Sequence, residues 1–275
     1  MFNGRRRSKS IRFLDLRMSL DLPSTIRRFI GDADLITDKI GESPCAVHEF
    51  RRGGERFFLK SSPAAYADTT YSVRREAQVL DWLSGRLHVP EVVATAERDG
   101  EAFMVTRAVP GRPLAACIAA GRPVSTLFGE ALRKLQQVPL SNCPFDASVP
   151  VRLRELDILL AKNLIDPDHD LDAWPGLDTP AKLVAHLRAH VPRQDPVFSH
   201  GDLCGNNVFV DARERLFFID LGRGGIADRW LDIAFVYREL RDQVAEAKAE
   251  TIMAALGEPD QPDKRRYFEQ LDELF

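Results

Sequence analysis

The hydrophobic pattern changes near residue 107, and this change constrains the possible folds more than any other feature of the sequence. Before it, four short β-like runs flank one helical stretch at residues 73–87; the runs are residues 45–50, 55–60, 91–95 and 102–106. After residues 110–113, Pro-Gly-Arg-Pro, apolar residues recur at the three- and four-residue spacing of amphipathic helices. The pattern predicts an α+β protein with a β-rich lobe at residues 18–106 and a mainly helical lobe at residues 107–275.

A small β-hairpin is predicted inside the helical lobe. Two β-like runs, residues 208–211 and 215–219, are bracketed by polar motifs. A helical stretch follows them, with Ile233, Val236 and Leu240 on one face. The hairpin would therefore present the polar motifs at its ends, close to the following helix.

Length and composition favour a globular protein without a membrane partner. The chain has 275 residues, of which 44% are apolar and 29% charged, enough for a sizeable core. No apolar run approaches the roughly 20 residues that span a bilayer. The four cysteines lie far apart without a C-x-x-C pair, which indicates reduced thiols in a cytoplasmic protein.

The net charge of −3 is unevenly distributed. Residues 1–17 carry six basic side chains against one acidic side chain, a net charge of +5, which leaves −8 for residues 18–275. A net charge of −8 over residues 18–275 suits a cationic partner better than a phosphate backbone. No nucleic-acid partner is therefore predicted. Residues 1–17 are interpreted as a disordered, solvated leader; nucleic-acid binding by residues 5–9 is the alternative.

The segment at residues 197–223 carries the residues most indicative of chemistry. It contains the pattern H-G-D-x-x-x-x-N with Asp202 and Asn207, and thirteen residues later Asp220 follows a Phe-Phe-Ile run. Taken singly, each of the three would be read as a turn former or a cap. Together their oxygens suit Mg²⁺, a hard ion that takes few protein ligands. Phosphoryl transfer uses such a set: one Asp acts on the acceptor hydroxyl, and an Asn and a second Asp hold the metal.

The same chemistry needs a cation for the phosphates, and Lys60 is the candidate. Lys60 ends a predicted strand, and Glu76 lies sixteen residues later in the predicted helix. Strand alternation places Phe58 on the same face as Lys60, where its ring is available to an adenine. Neither a P-loop nor a dinucleotide-binding fingerprint occurs. His200 is interpreted as a residue that orients the loop, because Asp202 already supplies the base.

Further stretches beyond these motifs are distinctive. They are T-T-Y-S-V-R-R-E at 69–76, W-L-S-G-R-L-H-V-P at 82–90, F-S-H-G-D-L at 198–203, F-I-D-L-G-R at 218–223, A-D-R-W-L-D-I-A-F at 227–235 and L-D-E-L-F at 271–275. With them the chain resembles the aminoglycoside 3′-phosphotransferases, bacterial antibiotic-resistance kinases, from about Met18 to the end. The H-G-D motif alone indicates only the wider family that includes choline kinases, whereas G-R-x-G-x-A-D and the terminus are specific to the 3′ class.

The resemblance implies a protein-kinase-like two-lobed fold that uses ATP and Mg²⁺. It implies Asp202 as the catalytic aspartate, Asn207 and Asp220 as Mg²⁺ ligands, and Lys60 on the ATP phosphates with Glu76 as its partner. Four further positions are implied in nucleotide binding: Ser43, Phe58, Thr106 and Ala108.

The implied substrate is an aminoglycoside such as kanamycin or neomycin, phosphorylated on its 3′ hydroxyl, which confers resistance. The implied drug-binding residues are mainly acidic: Asp170, Asp172, Arg238, Glu239, Glu273 and Phe275 with its terminal carboxylate. Carboxylates at several amines suit a polyamine sugar. The protein is expected to be a monomer or a weak homodimer.

Two other functions stay open. A kinase of the same fold could act on another amino sugar or alcohol, such as choline. The chain could also be a non-catalytic nucleotide-binding module, although such a module has no need of Asp202.

Deletion of the leader tests its interpretation. We expect a chain that begins at Met18 to retain the drug-dependent release of ADP, because all the residues of the predicted site lie after it. The measurement compares the initial rates of the full and shortened chains at equal concentration. Loss of activity in the shortened chain would contradict a dispensable leader.

Overall fold

The computed structural model describes residues 21–38, 43–165, 171–256 and 259–275. The leader and Asp170 therefore lie outside the described residues. The first lobe contains two helices and five strands: α1 (Ser24–Ile30), β1 (Ile36–Thr37), β2 (Ala46–Arg52), β3 (Glu55–Ser62), α2 (Val73–Leu83), β4 (Val92–Arg98) and β5 (Glu101–Arg107). The strands form one antiparallel sheet in the order β1-β2-β3-β5-β4.

Alternation along β3 gives the sheet two different faces. Phe57 and Leu59 are buried, whereas Phe58 and Lys60 are partly exposed. The buried pair belongs to a small core with Phe50 and with Ile26 of α1, so α1 covers that side of the sheet. Phe58 and Lys60 therefore share the opposite face, as the sequence predicted.

The helical lobe contains seven helices and five short strands among the described residues. They are β6 (Arg112–Pro113), α3 (Leu114–Ala119), α4 (Ser125–Gln136), α5 (Val149–Ala161), α6 (Pro180–Ala189), β7 (Pro196–Ser199), β8 (Val208–Val210), β9 (Leu216–Phe218), β10 (Gly225–Asp228), α7 (Arg229–Gln243), α8 (Glu246–Leu256) and α9 (Pro262–Asp272). The predicted hairpin is β8–β9, which β6 extends to three strands, while β7 pairs with β10. No helix in the described part of the chain is long and apolar enough to cross a membrane.

The main hydrophobic core runs continuously between the lobes. It includes Leu80 and Leu83 of α2 together with Phe198 and Trp230 of the helical lobe. Trp82 of α2 stacks on Phe198 with ring centroids 5.5 Å apart. The α+β arrangement of a sheet lobe and a helical lobe is confirmed. The division at residue 107 stays a prediction, although β5 ends there.

Helix α7 is largely buried and packs against β7, the strand that precedes the H-G-D motif. Nine of its residues are buried, among them Trp230, Phe235 and Tyr237. It contacts α8, α9 and β7, so it lies in the middle of the helical lobe. Because β7 leads directly into the H-G-D motif, the loop that contains this motif starts from a strand with three buried residues.

Gly111, near the junction of the lobes, offers a test of the packing. Its φ is +91°, and a Cβ there would lie 2.2 Å from the carbonyl oxygen of Val210. Gly121 has φ of +71° with nothing within 4 Å of an added Cβ. We expect Gly121→Ala to lower the free energy of unfolding by about 1–2 kcal/mol through backbone strain alone. Gly111→Ala should cost clearly more in urea unfolding, and equal losses in the two variants would contradict the close contact.

Candidate active site

Three charged residues from separate elements meet between the lobes. The Nζ of Lys60 on β3 lies 2.8 Å from Oε2 of Glu76 on α2 and donates to Oδ1 of Asp220 at 2.6 Å. Asp220 follows the end of β9 and has left-handed backbone angles, with φ of 57°. The predicted pairing of Lys60 with Glu76 is thus present in the structure, and Asp220 joins it.

Burial and charge act against each other in this cluster. Burial lowers the pKa of Lys60, but the carboxylates of Asp220 and Glu76 outweigh it, and the pKa is raised. Burial raises the pKa of Glu76 despite the opposing charge of Lys60. Burial also acts to raise the pKa of Asp220, but the ammonium of Lys60 outweighs it and holds that pKa below its usual value. Lys60 is therefore a stable cation and Asp220 a stable anion at neutral pH.

The loop after β7 places Asp202 and Asn207 together. The Nδ2 of Asn207 donates to the carbonyl oxygen of Asp202 at 2.9 Å and to its Oδ2 at 3.1 Å. The carbonyl oxygen of Asn207 accepts a hydrogen bond from the amide of Ile219 at 3.0 Å. Since Ile219 directly precedes Asp220, this bond ties the loop to the carboxylate that contacts Lys60.

His200 and Asp232, which are both buried, hold the start of this loop by hydrogen bonds. The ring of His200 is fully buried, and its Nε2 lies 2.9 Å from the carbonyl oxygen of Ile219. The amides of His200 and Gly201 donate to the two carboxylate oxygens of Asp232 at 2.7 and 2.9 Å. Burial raises the pKa of Asp232. The contact of the His200 ring agrees with the orienting role predicted for it, whereas the part of Asp232 was not predicted.

The residues assigned to the nucleotide by resemblance have distinct positions. Phe58 lies on the Lys60 face, and Ser43 lies in the exposed bend before β2, where its Oγ accepts a hydrogen bond from the amide of Cys45. Thr106 is buried near the end of β5. The amide of Ala108 donates to the carbonyl oxygen of Arg56 at 2.9 Å. A base at this edge would compete with that bond, and the roles of all four residues stay predictions.

One of the predicted drug-binding residues, Glu239, lies beside the loop that contains Asp202. Oε1 of Glu239 on α7 accepts from the amide of Gly205 at 3.3 Å, and burial raises the pKa of Glu239. Arg238 pairs with Asp272 at the end of α9. Glu273 and Phe275 follow directly. Asp172 is exposed in the segment before α6.

The oxygen atoms near Lys60 fit a small hard cation. Asn207 uses its Nδ2 on Asp202, so its amide oxygen is available, and Asp220 uses Oδ1 on Lys60. No group of three or more His, Cys, Asp or Glu side chains suited to a metal occurs among the described residues. Magnesium in kinase sites takes only one or two protein carboxylates and completes its shell with phosphates and water. The donor set here is of that kind.

Comparisons with known proteins agree with this geometry. Residues 47–268 match the model of the phosphotransferase enzyme family. The chain is 39% identical to an aminoglycoside 3′-phosphotransferase of Acinetobacter baumannii over 259 residues, which is 93% of this chain and 100% of the relative. The crystal structure of an aminoglycoside 3′-phosphotransferase of type VIII superposes with a TM-score of 0.78 at 26% identity, covering 91% of this chain and 96% of the other.

A two-lobed kinase-like enzyme is therefore the class that the fold and the site define. The chain belongs to the phosphotransferase enzyme family, and its recognition as similar to the aminoglycoside 3′-phosphotransferases is confirmed. A more distant structure, an aminoglycoside phosphotransferase of Streptomyces rimosus in complex with ADP and streptomycin, has a TM-score of 0.74 at 24% identity over 91% of this chain and 96% of that one. It supports the fold.

Substitution of Asp232 tests how the loop is held. We expect Asp232→Asn to lower the free energy of unfolding by roughly 1–3 kcal/mol, since an amide has one acceptor oxygen for two buried backbone amides. Asp263→Asn, an exposed aspartate on α9, is the control and should unfold like the wild type. The measurement is the urea midpoint at neutral pH, and an unchanged midpoint in Asp232→Asn would contradict the anchoring role.

Proposed function

We propose that this protein transfers the γ-phosphoryl group of ATP to the 3′ hydroxyl of aminoglycosides such as kanamycin and neomycin, and so confers resistance to them. The observation that carries the proposal is the Lys60–Glu76–Asp220 cluster beside the Asp202–Asn207 pair. In a chain of this family, Lys60 would serve as the cation for the phosphates, Asn207 and Asp220 would supply oxygens to a metal, and Asp202 would be the carboxylate for the acceptor. Phosphoryl transfer consists mainly of such positioning and charge stabilisation.

The nucleotide end of the site is assigned to β3 and the neighbouring loops. Lys60, held by Glu76, would contact the phosphates, and Phe58 on the same face is available to the adenine. Ser43, Thr106 and Ala108 would complete the nucleotide contacts. Asn207 and Asp220 would hold Mg²⁺, which offsets the negative charge of the phosphates when bound.

Asp202 is assigned to the acceptor hydroxyl. Asp202 is partly exposed, and the side-chain Nδ2 of Asn207 fixes its carboxylate by donating a hydrogen bond to Oδ2. The remaining oxygen, Oδ1, can accept the hydrogen of an incoming hydroxyl and orient its oxygen toward the phosphate. Orientation of the acceptor by a fixed group supplies a large part of the rate in such reactions.

The acidic surroundings of Asp202 favour a polycationic acceptor. Glu239 hydrogen-bonds the same loop, and Glu273 and Phe275 follow α9, whose Asp272 pairs with Arg238. These groups, with Arg238 and the predicted contributors Asp170 and Asp172, would meet amines and hydroxyls of the drug. Such a set suits several amines better than the single cation of choline. Choline remains the acceptor to exclude by assay.

Three further expectations belong to the same proposal. The protein would act in the cytoplasm, where ATP and the drug are both present. It would work as a monomer or a weak homodimer, and it would need no nucleic-acid partner.

The activity assay couples ADP release to a spectrophotometric readout with purified protein, MgATP and kanamycin. We expect release to exceed the drug-free rate severalfold for at least one member of an aminoglycoside panel. Choline and an endogenous amino sugar serve as alternative acceptors in the same assay. No stimulation by any aminoglycoside would contradict the proposal, and stimulation by choline alone would support the alternative kinase.

Replacement of the catalytic aspartate separates an enzyme from a binding module. We expect Asp202→Ala to lower the drug-dependent kcat by roughly 10²–10⁴-fold, the usual contribution of a positioned acid or base. Calorimetry should show retained ATP affinity, because Lys60, which is assigned to the phosphates, is held by Glu76 and Asp220. Asp32→Ala, an exposed aspartate of the first lobe, is the matched control. Unchanged turnover in Asp202→Ala would contradict the assigned role.

A further inference from the structure

Arg152 is a buried cation with an unusual set of partners. It lies on α5 and is only 1% exposed. Its Nε donates to the carbonyl oxygen of Ala147 at 3.3 Å, and its Nη2 donates to those of Gly201 at 3.2 Å and Arg223 at 3.4 Å. All three acceptors are backbone carbonyls. The guanidinium therefore holds three backbone segments in place through their carbonyl groups.

Two of these carbonyls belong to the segments that carry the proposed active-site residues. Gly201 directly precedes Asp202, and Arg223 ends the short turn that begins after Asp220. One planar group with fixed donors thus spans both segments. Because carbonyls cannot move independently of their chain, the guanidinium sets the distance between the two segments.

Gly201 shows that the approach is close. Its φ is +81°, and a Cβ there would lie 2.5 Å from Nη2 of Arg152 and 2.4 Å from the carbonyl oxygen of Arg223. A larger residue would push the guanidinium or the Arg223 segment away. Glycine is therefore required at position 201 for two reasons: its positive φ, and the lack of room for a Cβ.

The surroundings complete the burial of Arg152. The ring of Phe275 lies 5.6 Å from the guanidinium carbon, within the range of a cation–π contact. Three residues along α5, Glu155 accepts from the amide and the hydroxyl of Thr70 in the first lobe at 2.6 and 2.8 Å. Burial and the nearby Arg223 lower the pKa of Arg152 to about 10, so it stays charged at neutral pH. Burial of a cation costs desolvation free energy. What this cation supplies to the core is a set of hydrogen-bond donors in fixed positions.

We propose that Arg152 is a positioning residue for phosphoryl transfer, which holds the Asp202 segment and the Asp220 segment at the separation that in-line transfer requires. This inference rests on the proposed function. It predicts that loss of the guanidinium lowers turnover while nucleotide binding, which depends on Lys60 and Glu76, is retained. Arg152 itself touches none of the reacting groups.

The experiment measures kcat, KM for ATP and KM for kanamycin in Arg152→Met and Arg152→Lys. Arg154→Met is the matched control, because Arg154 lies on the same helix and is exposed. Ile26→Ala, in the separate core under α1, serves as a destabilised control far from the loop. Thermal melting and the stoichiometry of ATP binding show what fraction of each variant is folded, and all rates are measured well below the lowest melting temperature.

We expect Arg152→Met to lower kcat by about 100-fold, the effect of misplacing reactants by roughly 1 Å, with KM for ATP little changed. Arg152→Lys should recover part of kcat, since an ammonium can donate to some of the carbonyls but cannot span them as a planar group does. Arg154→Met and Ile26→Ala should keep the kcat of the wild type per folded molecule. If Arg152→Met fails to fold, the same split between kcat and KM in Arg152→Lys decides the matter.

Three results would overturn the inference in distinguishable ways. An active wild type with a kcat in Arg152→Met and Arg152→Lys equal to that of Ile26→Ala would leave the proposed function intact and refute the positioning role. A parallel rise in KM for ATP with no fall in kcat would also refute it. A wild type that transfers no phosphoryl group to any aminoglycoside would refute the proposed function and this inference with it.

Discussion

The two ion pairs of the Lys60 ammonium are the interactions on which the rest of the structure depends. The ammonium lies between Glu76 of the first lobe and Asp220 of the second, and the Lys60 side chain is only 14% exposed. Loss of one partner from a buried ion pair costs of order 3–5 kcal/mol, because the remaining charge is left without compensation. Such a penalty fixes α2 against the sheet through the Lys60–Glu76 pair. The pair with Asp220, whose side chain is 42% exposed, adds a weaker tie to the helical lobe because water screens it. The cluster thus sets the geometry between the lobes at the point where phosphates would bind.

The loop that contains Asp202 is held in a second way, by hydrogen bonds between buried charged side chains and its backbone. Asp232 accepts from the amides of His200 and Gly201, while Arg152 donates to the carbonyl of Gly201. Gly201 is therefore fixed from both of its peptide groups immediately before Asp202. A loop that begins from buried β7 and is held in this way has little freedom. This rigidity is what a reaction dominated by positioning requires.

Much of the fold and part of the site could be predicted from the sequence. The strand-like runs on either side of Gly53 and Gly54 located β2 and β3, and helical spacing located α2. The needs of phosphoryl transfer and the family resemblance then paired Lys60 with Glu76. The spacing of Asp202, Asn207 and Asp220 predicted their proximity because two short strands join them. Asn207 bonds the side chain of Asp202, and Lys60 bonds that of Asp220. Because these contacts join side chains, they leave a pattern in the sequence.

The rest of the structure leaves no comparable signal. Arg152 and Asp232 act on backbone groups of a distant loop, so no partner side chain at a fixed spacing reveals them. Strands β6, β7 and β10 are too short for alternation to show, and β1 has only two residues. The bond from the amide of Ala108 to Arg56 is likewise a backbone contact that only coordinates display.

The most direct test of the account is the crystal structure of this chain with a non-hydrolysable ATP analogue, Mg²⁺ and kanamycin. The account predicts phosphates on Lys60, the metal between Asn207 and Asp220, and one drug hydroxyl within hydrogen-bond distance of Asp202. The drug amines would lie against Glu239 and Glu273. Phosphates bound away from Lys60, or a drug whose hydroxyls all lie far from Asp202, would contradict it.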